Sequence, residues 1–406
     1  MKIAILTNEY PPYIYGGAGV HVQYLVRELA ALEDRRHTVR VLCFGDQRER
    51  AENLIVEGVW ASFDFPLQDR RHKRLMDTLL KDIVMAGSLP EADLVHCHTW
   101  YTHFAGCLIK QLFSIPLVLT THSLEPHRPW KEEQMGSAYW VSTWLERSAY
   151  SLADGIIAVS QAMRRDVHEL YQVPWDRIQV IPNGIDPDQY KPTPDPATLA
   201  HYQIDPDQPF ILFVGRITRQ KGIIHLVRAV RYLQPGVQIV LCAGAPDTEE
   251  IGREMAEAVE EARSQTSNRI IWIPQIVPTD HLIRLYSQAA VFVCPSVYEP
   301  FGIINLEAMA CGTPVVASSV GGITEVVVHE ETGLLVPFDS RGPGDFEPKD
   351  AEKFSQDLAK AINRLLSSPQ ERKLMGEKAR ARVEKYFSWR SVASQTLGFY
   401  RKLLSK

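Results

Sequence analysis

Short runs that are hydrophobic throughout, each followed by a stretch with helical spacing, constrain this chain more than any other feature. Residues 2–6 lead into a helical pattern over 19–32, and the apolar runs 39–44, 94–97 and 117–121 follow. A strand with one wet face alternates apolar and polar residues, whereas a strand covered on both faces reads as a continuous apolar run. The pattern therefore predicts a parallel sheet with crossover helices on both faces.

Residues 181–209, IPNGIDPDQYKPTPDPATLAHYQIDPDQP, interrupt this rhythm with seven prolines and several aspartates. Proline lacks the N–H that helices and sheet ladders use, so no helix or central strand is expected there. The rhythm then restarts with FILFVG, QIVLCAG, RIIWIP, AAVFVCP and PVVAS, separated by helical stretches. The expectation is two doubly wound α/β domains, 1–184 and 210–387, joined by a linker over 185–209. A length of 406 residues suits two such cores. Open sheets of this kind gather ligands at strand carboxyl ends, which places the expected chemistry in a deep cleft faced by both domains. Beyond residue 350 the pattern is helical, with Phe354, Leu358, Ile362 and Leu365 on one face and later Trp389, Val392, Leu397 and Tyr400.

Charge narrows the partners. Lys plus Arg number 44 against 49 Asp plus Glu, a net −5, so no global basic field exists to hold nucleic acid or an anionic membrane. An anionic ligand must be held locally. No apolar run approaches the ~18 residues of a membrane helix, and the first apolar run reaches Glu9 too soon for a signal peptide, so a cytoplasmic location is expected. Six scattered cysteines without a CxxC pair read as reduced core thiols.

Gly16, Gly17 and Gly19 form a turn feeding a helix, where unpaired N–H groups and the dipole favour a phosphate. The spacing is a poor dinucleotide fingerprint, because Val22 stands where a third small residue belongs, and this argues against a nicotinamide oxidoreductase. In LVHCHTWYTH, His96 and His98 share a strand face; no further ligand pattern completes a metal sphere, so no metal is expected. His98 and Trp100 can instead offer hydrogen bonds and a stacking face to a sugar. In LTTHSLEPHRPWK, His122 ends a strand, and Glu125, Arg128, Trp130 and Lys131 follow as groups for hydroxyls or an anion.

The second half carries a stronger pattern. In FVGRITRQKGI, Arg216 follows a strand and Lys221 precedes a helix, two cations whose placement at a helix amino terminus makes sense around an anion. Against a diphosphate they would stabilise charge on a departing group. In PSVYEPFGIINLEAMACGTPVVAS, Glu299 sits in a loop and Glu307 eight residues on in a short helix. One carboxylate can hold a sugar and the other a ribose, while the N–H groups of Gly302, Ile303 and Ile304 bind phosphate. Gly321, Gly322 and Glu325 form another glycine turn beside them. A paired-carboxylate hydrolase lacks an identifiable water-activating partner here.

Together YGGAGVH, THSLEPHRPW, GRITRQKG and EPFGIINLEAMACGTPVV resemble the retaining nucleotide-sugar glycosyltransferases of family GT4, which includes glycogen, sucrose and trehalose synthases. The likeness is strongest to short bacterial glycogen synthases and maltose-1-phosphate synthases. This resemblance implies a GT-B fold whose C-terminal helix, within 388–406, packs back on the first domain. It implies that Gly16 and Gly17 meet the diphosphate or sugar, His122 the glucose 6-hydroxyl, Arg216 and Lys221 the phosphates, Glu299 the 3- and 4-hydroxyls, and Glu307 the ribose. The implied donor is ADP-glucose or UDP-glucose with no further cofactor. The implied acceptor is an α-1,4-glucan end, with glucose 1-phosphate as the alternative. His127 departs from the family pattern, where a leucine is expected. A non-catalytic glucan-binding protein would not require Arg216, Lys221 and Glu299 together.

Overall fold

The computed structural model of the protein describes residues 1–14, 16–89, 91–342 and 345–405. The chain divides into two units, Met1–Gly184 with Trp389–Lys406, and Ile185–Ser388.

The first unit holds β1 (Lys2–Thr7), β2 (Thr38–Phe44), β3 (Arg48–Arg50), β4 (Leu54–Val59), β5 (Leu94–His98), β6 (Leu117–Thr121), β7 (Gly155–Ala158) and β8 (Ile178–Val180). Their order is β3-β4-β2-β1-β5-β6-β7-β8, parallel except for the short edge strand β3. Every position of β5, β6 and β7 is buried, as expected for strands covered on both faces. The C-terminal helix Trp389–Leu404 packs in this unit: Trp389, Val392, Leu397 and Tyr400 share a core with Val22, Leu25, Val26 and Leu29 of the helix Gly17–Ala31. Tyr400 reaches the sheet itself, its hydroxyl lying 2.6 Å from His96 Nδ1.

The second unit holds β9 (Phe210–Arg216), β10 (Gln238–Gly244), β11 (Arg269–Ile273), β12 (Val291–Cys294), β13 (Val315–Ser318) and β14 (Gly333–Val336). They form one parallel sheet ordered β11-β10-β9-β12-β13-β14.

The stretch expected to be a linker, 185–209, belongs instead to the second unit. It also contains a helix, Pro196–His201, where none was expected. Pro196 stands in the first turn, where an N–H has no intrahelical partner, and Asp195 caps the start by accepting from the Ala197 N–H at 3.2 Å. The segment is tied down further where Thr193 N–H donates to Ser287 Oγ at 2.9 Å and Ile185 N–H to the Phe387 carbonyl at 2.8 Å. Proline content marked an irregular path, and the hydrogen bonds make that path part of a folded body.

Each sheet has one topological switch point. In the first unit the chain builds outward from β1 toward β2 and β4, then returns beside β1 with β5; in the second it builds outward from β9, then returns beside β9 with β12. The crevice outside the carboxyl ends at such a point is where open α/β sheets bind ligands. All six cysteines are free. No helix among the described residues is long and apolar enough to cross a membrane.

Candidate active site

In the second unit the switch point is charged. Arg216 is the last residue of β9, and Lys221 closes a single turn of 3-10 helix capped by Thr218, whose Oγ1 accepts from the Lys221 N–H at 3.2 Å. Gly222 follows with φ of +59°, and a Cβ there would lie 2.1 Å from the Pro295 carbonyl oxygen, so only glycine lets this turn seat against the segment after β12. Lys221 is thereby brought across to Glu299, with Nζ 2.7 Å from Oε2 and side-chain exposures of 22% and 8%. Ser296 Oγ–H donates to the same carboxylate oxygen at 3.3 Å. Burial works against the Lys221 charge, but the Glu299 carboxylate outweighs it and holds the ammonium above its usual range.

Arg216 lies beside this pair in sequence but has its own partner, Asp247, at 2.9 Å from Nη1. The glycine turn at 321–322 supports the site from behind. Gly322 N–H donates to the Glu299 carbonyl at 2.9 Å, and Gly321, φ +48°, lies so close that a Cβ would sit 2.2 Å from that oxygen. Gly302 (φ +93°) opens the helix Ile303–Ala310, which carries Glu307. Both Glu307 oxygens accept tyrosine hydroxyls, from Tyr286 at 2.9 Å and from Tyr190 at 3.4 Å. Burial raises its pKa to about 7. Asn305, one turn into the same helix, is fully buried, and neither side-chain polar atom has a hydrogen-bond partner among the described residues.

The first unit gathers neutral groups. Thr99, directly after β5, has φ +67°, unusual for a β-branched residue, and its Oγ1–H donates to Asn8 Oδ1, directly after β1, at 2.8 Å. His98 ends β5, His122 follows β6, and their facing nitrogens, Nδ1 and Nε2, lie 2.9 Å apart in one hydrogen bond. His21, in the first turns of the helix Gly17–Ala31, packs edge-on to His122 with ring centroids 4.8 Å apart. Its Nδ1–H donates to Asn183 Oδ1 at 2.7 Å, since a carbonyl oxygen only accepts, which leaves Nε2 a buried acceptor without a partner among the described residues. Desolvation pushes His21 down to about 4 and holds His98 and His122 well below the usual histidine range, so all three are neutral at pH 7.

One nitrogen from each of these three rings lies within 4.8 Å of the others, a grouping with the composition of a metal site. The His98 and His122 nitrogens, however, face one another in a hydrogen bond, and an ion at the ~2.0–2.1 Å of a metal–imidazole bond would require the rings to swing apart. The arrangement suits hydroxyl recognition better. His96 is accounted for differently, with Tyr400 on one nitrogen and Thr120 Oγ1 at 2.7 Å from the other.

Three expectations for this unit need correction. Gly16 does not present a free cradle, because its N–H donates to Glu9 Oε2 at 2.9 Å, and that carboxylate already answers the helix terminus; Gly17 is exposed at the first helical position. Trp100 offers no stacking face to a sugar: it is buried against Tyr101 in a core with Leu75 and Met135. Glu125 is 1% exposed and turned inward, where Ser142 Oγ–H donates to Oε2 at 3.0 Å. Arg128 and Trp130 remain partly exposed on the loop after His122. Sequence reasoning also missed His21 and Asp247, whose partners Asn183 and Arg216 come from distant segments, and the buried Asn305.

Two doubly wound parallel sheets in one chain, one bearing a cation–carboxylate pair at its switch point, define the GT-B class of fold. Residues 15–189 match the model of Glycosyltransferase Family 4, and residues 196–382 match that of Glycosyl transferases group 1. The chain belongs to this family of glycosyltransferases and is an enzyme of hexosyl transfer. It is 46% identical over 407 residues to the alpha-maltose-1-phosphate synthase of Mycolicibacterium smegmatis, covering 99% of this chain and 100% of that protein. Against the glycogen synthase of Mycobacterium tuberculosis it is 28% identical over 431 residues, covering 98% and 94%. The sucrose-phosphate synthase of Thermosynechococcus elongatus superposes with a TM-score of 0.78 at 27% identity, covering 100% and 99%.

Proposed function

We propose that this enzyme moves glucose, with retention of configuration, from ADP-glucose to glucose 1-phosphate and so forms α-maltose 1-phosphate; UDP-glucose is the second choice of donor. The amino-acid sequence alone ranked a glucan end ahead of glucose 1-phosphate as acceptor. The 46% identity to an alpha-maltose-1-phosphate synthase, against 28% to a glycogen synthase, supports the reverse order.

The observation that carries the donor side is the Lys221–Glu299 pair, 2.7 Å apart at the switch point of the second unit, with Arg216 at the end of the adjoining strand. On this reading Lys221 and Arg216 meet the diphosphate and stabilise the charge it gains on leaving. Glu299 accepts from glucose hydroxyls and positions the ring, and Glu307 serves the ribose. The acceptor hydroxyl attacks the anomeric carbon on the face the phosphate leaves, and a leaving-group oxygen takes its proton. Glu299 is then a positioner, not a nucleophile. His122, neutral and hydrogen-bonded to His98, serves a sugar hydroxyl. The donor is the sole cofactor-like group this chemistry requires.

Purified enzyme incubated with ADP-glucose or UDP-glucose, and with glucose 1-phosphate or glycogen, tests the reading by the nucleotide released and the product formed. Maltose 1-phosphate from ADP-glucose is the expected product. Nucleotide release with glycogen alone would overturn the acceptor, and release in no combination would overturn the whole.

A further inference from the structure

Resting on the acceptor proposed above, we infer that the guanidinium of Arg128 recognises the phosphate of the sugar phosphate, and that Glu125 is the residue that positions it. Arg128 sits on the loop that leaves β6. Its Nη1–H donates to Ser123 Oγ at 3.3 Å, which places the cation beside the residue directly after His122. The side chain is 14% exposed. Its Nε–H is buried and has no hydrogen-bond partner among the described residues.

A guanidinium carries five N–H donors in a planar fork, and a structural arginine usually engages a carboxylate with two of them. Here the neighbouring carboxylate, Glu125, stands at 3.5 Å from Nη1, within ion-pair reach only. Its other oxygen, Oε2, accepts from Ser142. Glu125 is itself immobilised: its carbonyl accepts from Tyr139 OH at 2.9 Å, and its N–H donates to Glu146 Oε2 at 2.9 Å, a carboxylate that also accepts from Tyr171 OH. The guanidinium therefore lies at ion-pair distance from a clamped, buried carboxyl group, with donors left over for an oxyanion. Ser123, which it bonds, directly follows His122, a neutral imidazole suited to hydroxyls, so a ligand carrying a phosphate beside a hexose matches the pair of chemistries. A phosphate bound two-pronged by an arginine is specific in geometry as well as charge.

The test is steady-state kinetics with glucose 1-phosphate as the varied acceptor, in the wild type and in Arg128→Ala, Arg128→Lys and Glu125→Gln, with inorganic phosphate as a competing probe. The expected result in Arg128→Ala is a KM for glucose 1-phosphate raised about tenfold to a hundredfold, the size of a charge-assisted hydrogen bond, with kcat moving less than KM. Arg128→Lys recovers part of the loss. Glu125→Gln raises KM by less than Arg128→Ala, and inorganic phosphate competes with glucose 1-phosphate in the wild type but far more weakly in Arg128→Ala. Calorimetric titration with ADP shows that each variant is folded. A KM within twofold of wild type in a folded Arg128→Ala would overturn the inference while leaving the proposed function standing. A wild type that releases no nucleotide with glucose 1-phosphate would remove both.

Discussion

At the switch point of the first unit the chain places a threonine–asparagine pair and three neutral histidines; at that of the second it places an ammonium, a guanidinium and two carboxylates. The two sheets share a parallel, doubly wound topology, so the difference lies in the residues that each strand hands on to. β5 and β6 deliver His98 and His122 into surroundings dry enough to keep imidazoles uncharged. β9 and the segment after β12 deliver opposite charges to one another, and the pairing keeps Lys221 charged despite its burial. In each unit topology sets where a ligand is met, and desolvation against ion pairing sets the chemistry that meets it. The charged switch point suits an anionic group, and the neutral one suits hydroxyls.

Removing Lys221 presses hardest on that division. Lys221→Ala should lower kcat by about 10²–10³, the scale for losing one prepositioned group that stabilises transition-state charge. It also leaves Glu299, 8% exposed, without its cationic partner. The check is kcat under saturating donor and acceptor. Turnover close to wild type would break the comparison, because the charged switch point would then have no part in departure of the diphosphate.

A second contrast concerns proton linkage. The histidines of the first unit are held below their ordinary pKa by burial: His21 falls from 6.5 to about 4, and His96 and His103 to about 3. The unfolded chain takes up these protons as pH drops below about 6.5, whereas the folded chain resists until about 4 or lower, so stability is full above 6.5 and is lost through that window. His21 alone accounts for roughly 3 kcal/mol of this loss, because burial lowers its pKa from 6.5 to about 4. Thermal unfolding between pH 7 and pH 4 should show a steep fall in Tm, and His21→Asn should fall less steeply from its own starting value. Equal slopes in the two proteins would show that His21 takes no part.

Much of this was legible in the residues themselves. The apolar runs marked the strands because both sheet faces are covered, and FVGRITRQKGI marked Arg216 and Lys221 because a strand end, a turn and a helix start lie within eleven letters. What stayed hidden depends on contacts between distant segments. Nothing local in GVHVQ foretells that His21 will meet His122 and Asn183, and nothing near Arg216 foretells Asp247. Trp100 and Glu125 stand at strand exits, where exposure is the ordinary expectation, yet helix packing and the Ser142 and Tyr139 hydroxyls turn them inward. Proline spacing at 182–209 spoke for an irregular path and was silent on whether that path was fastened down.

Glu307 offers the smallest effect and the opposite sign. Burial raises its carboxyl from 4.5 to about 7, so in the folded protein the anion forms only as pH passes through neutrality. Its contribution to stability is full below about 4.5 and is lost as pH rises through about 7, the reverse of the buried histidines. If the anion is what grips the ribose, affinity for the donor should improve over that same range, because a carboxylate accepts hydroxyl hydrogen bonds that a protonated carboxyl meets less well. Wild-type KM for ADP-glucose is therefore expected to fall a few-fold between pH 6 and pH 8. Glu307→Gln, which has no proton to lose, is expected to show a higher KM with no such slope. A variant that kept the wild-type slope would assign it to another group and take the ribose role from the Glu307 anion.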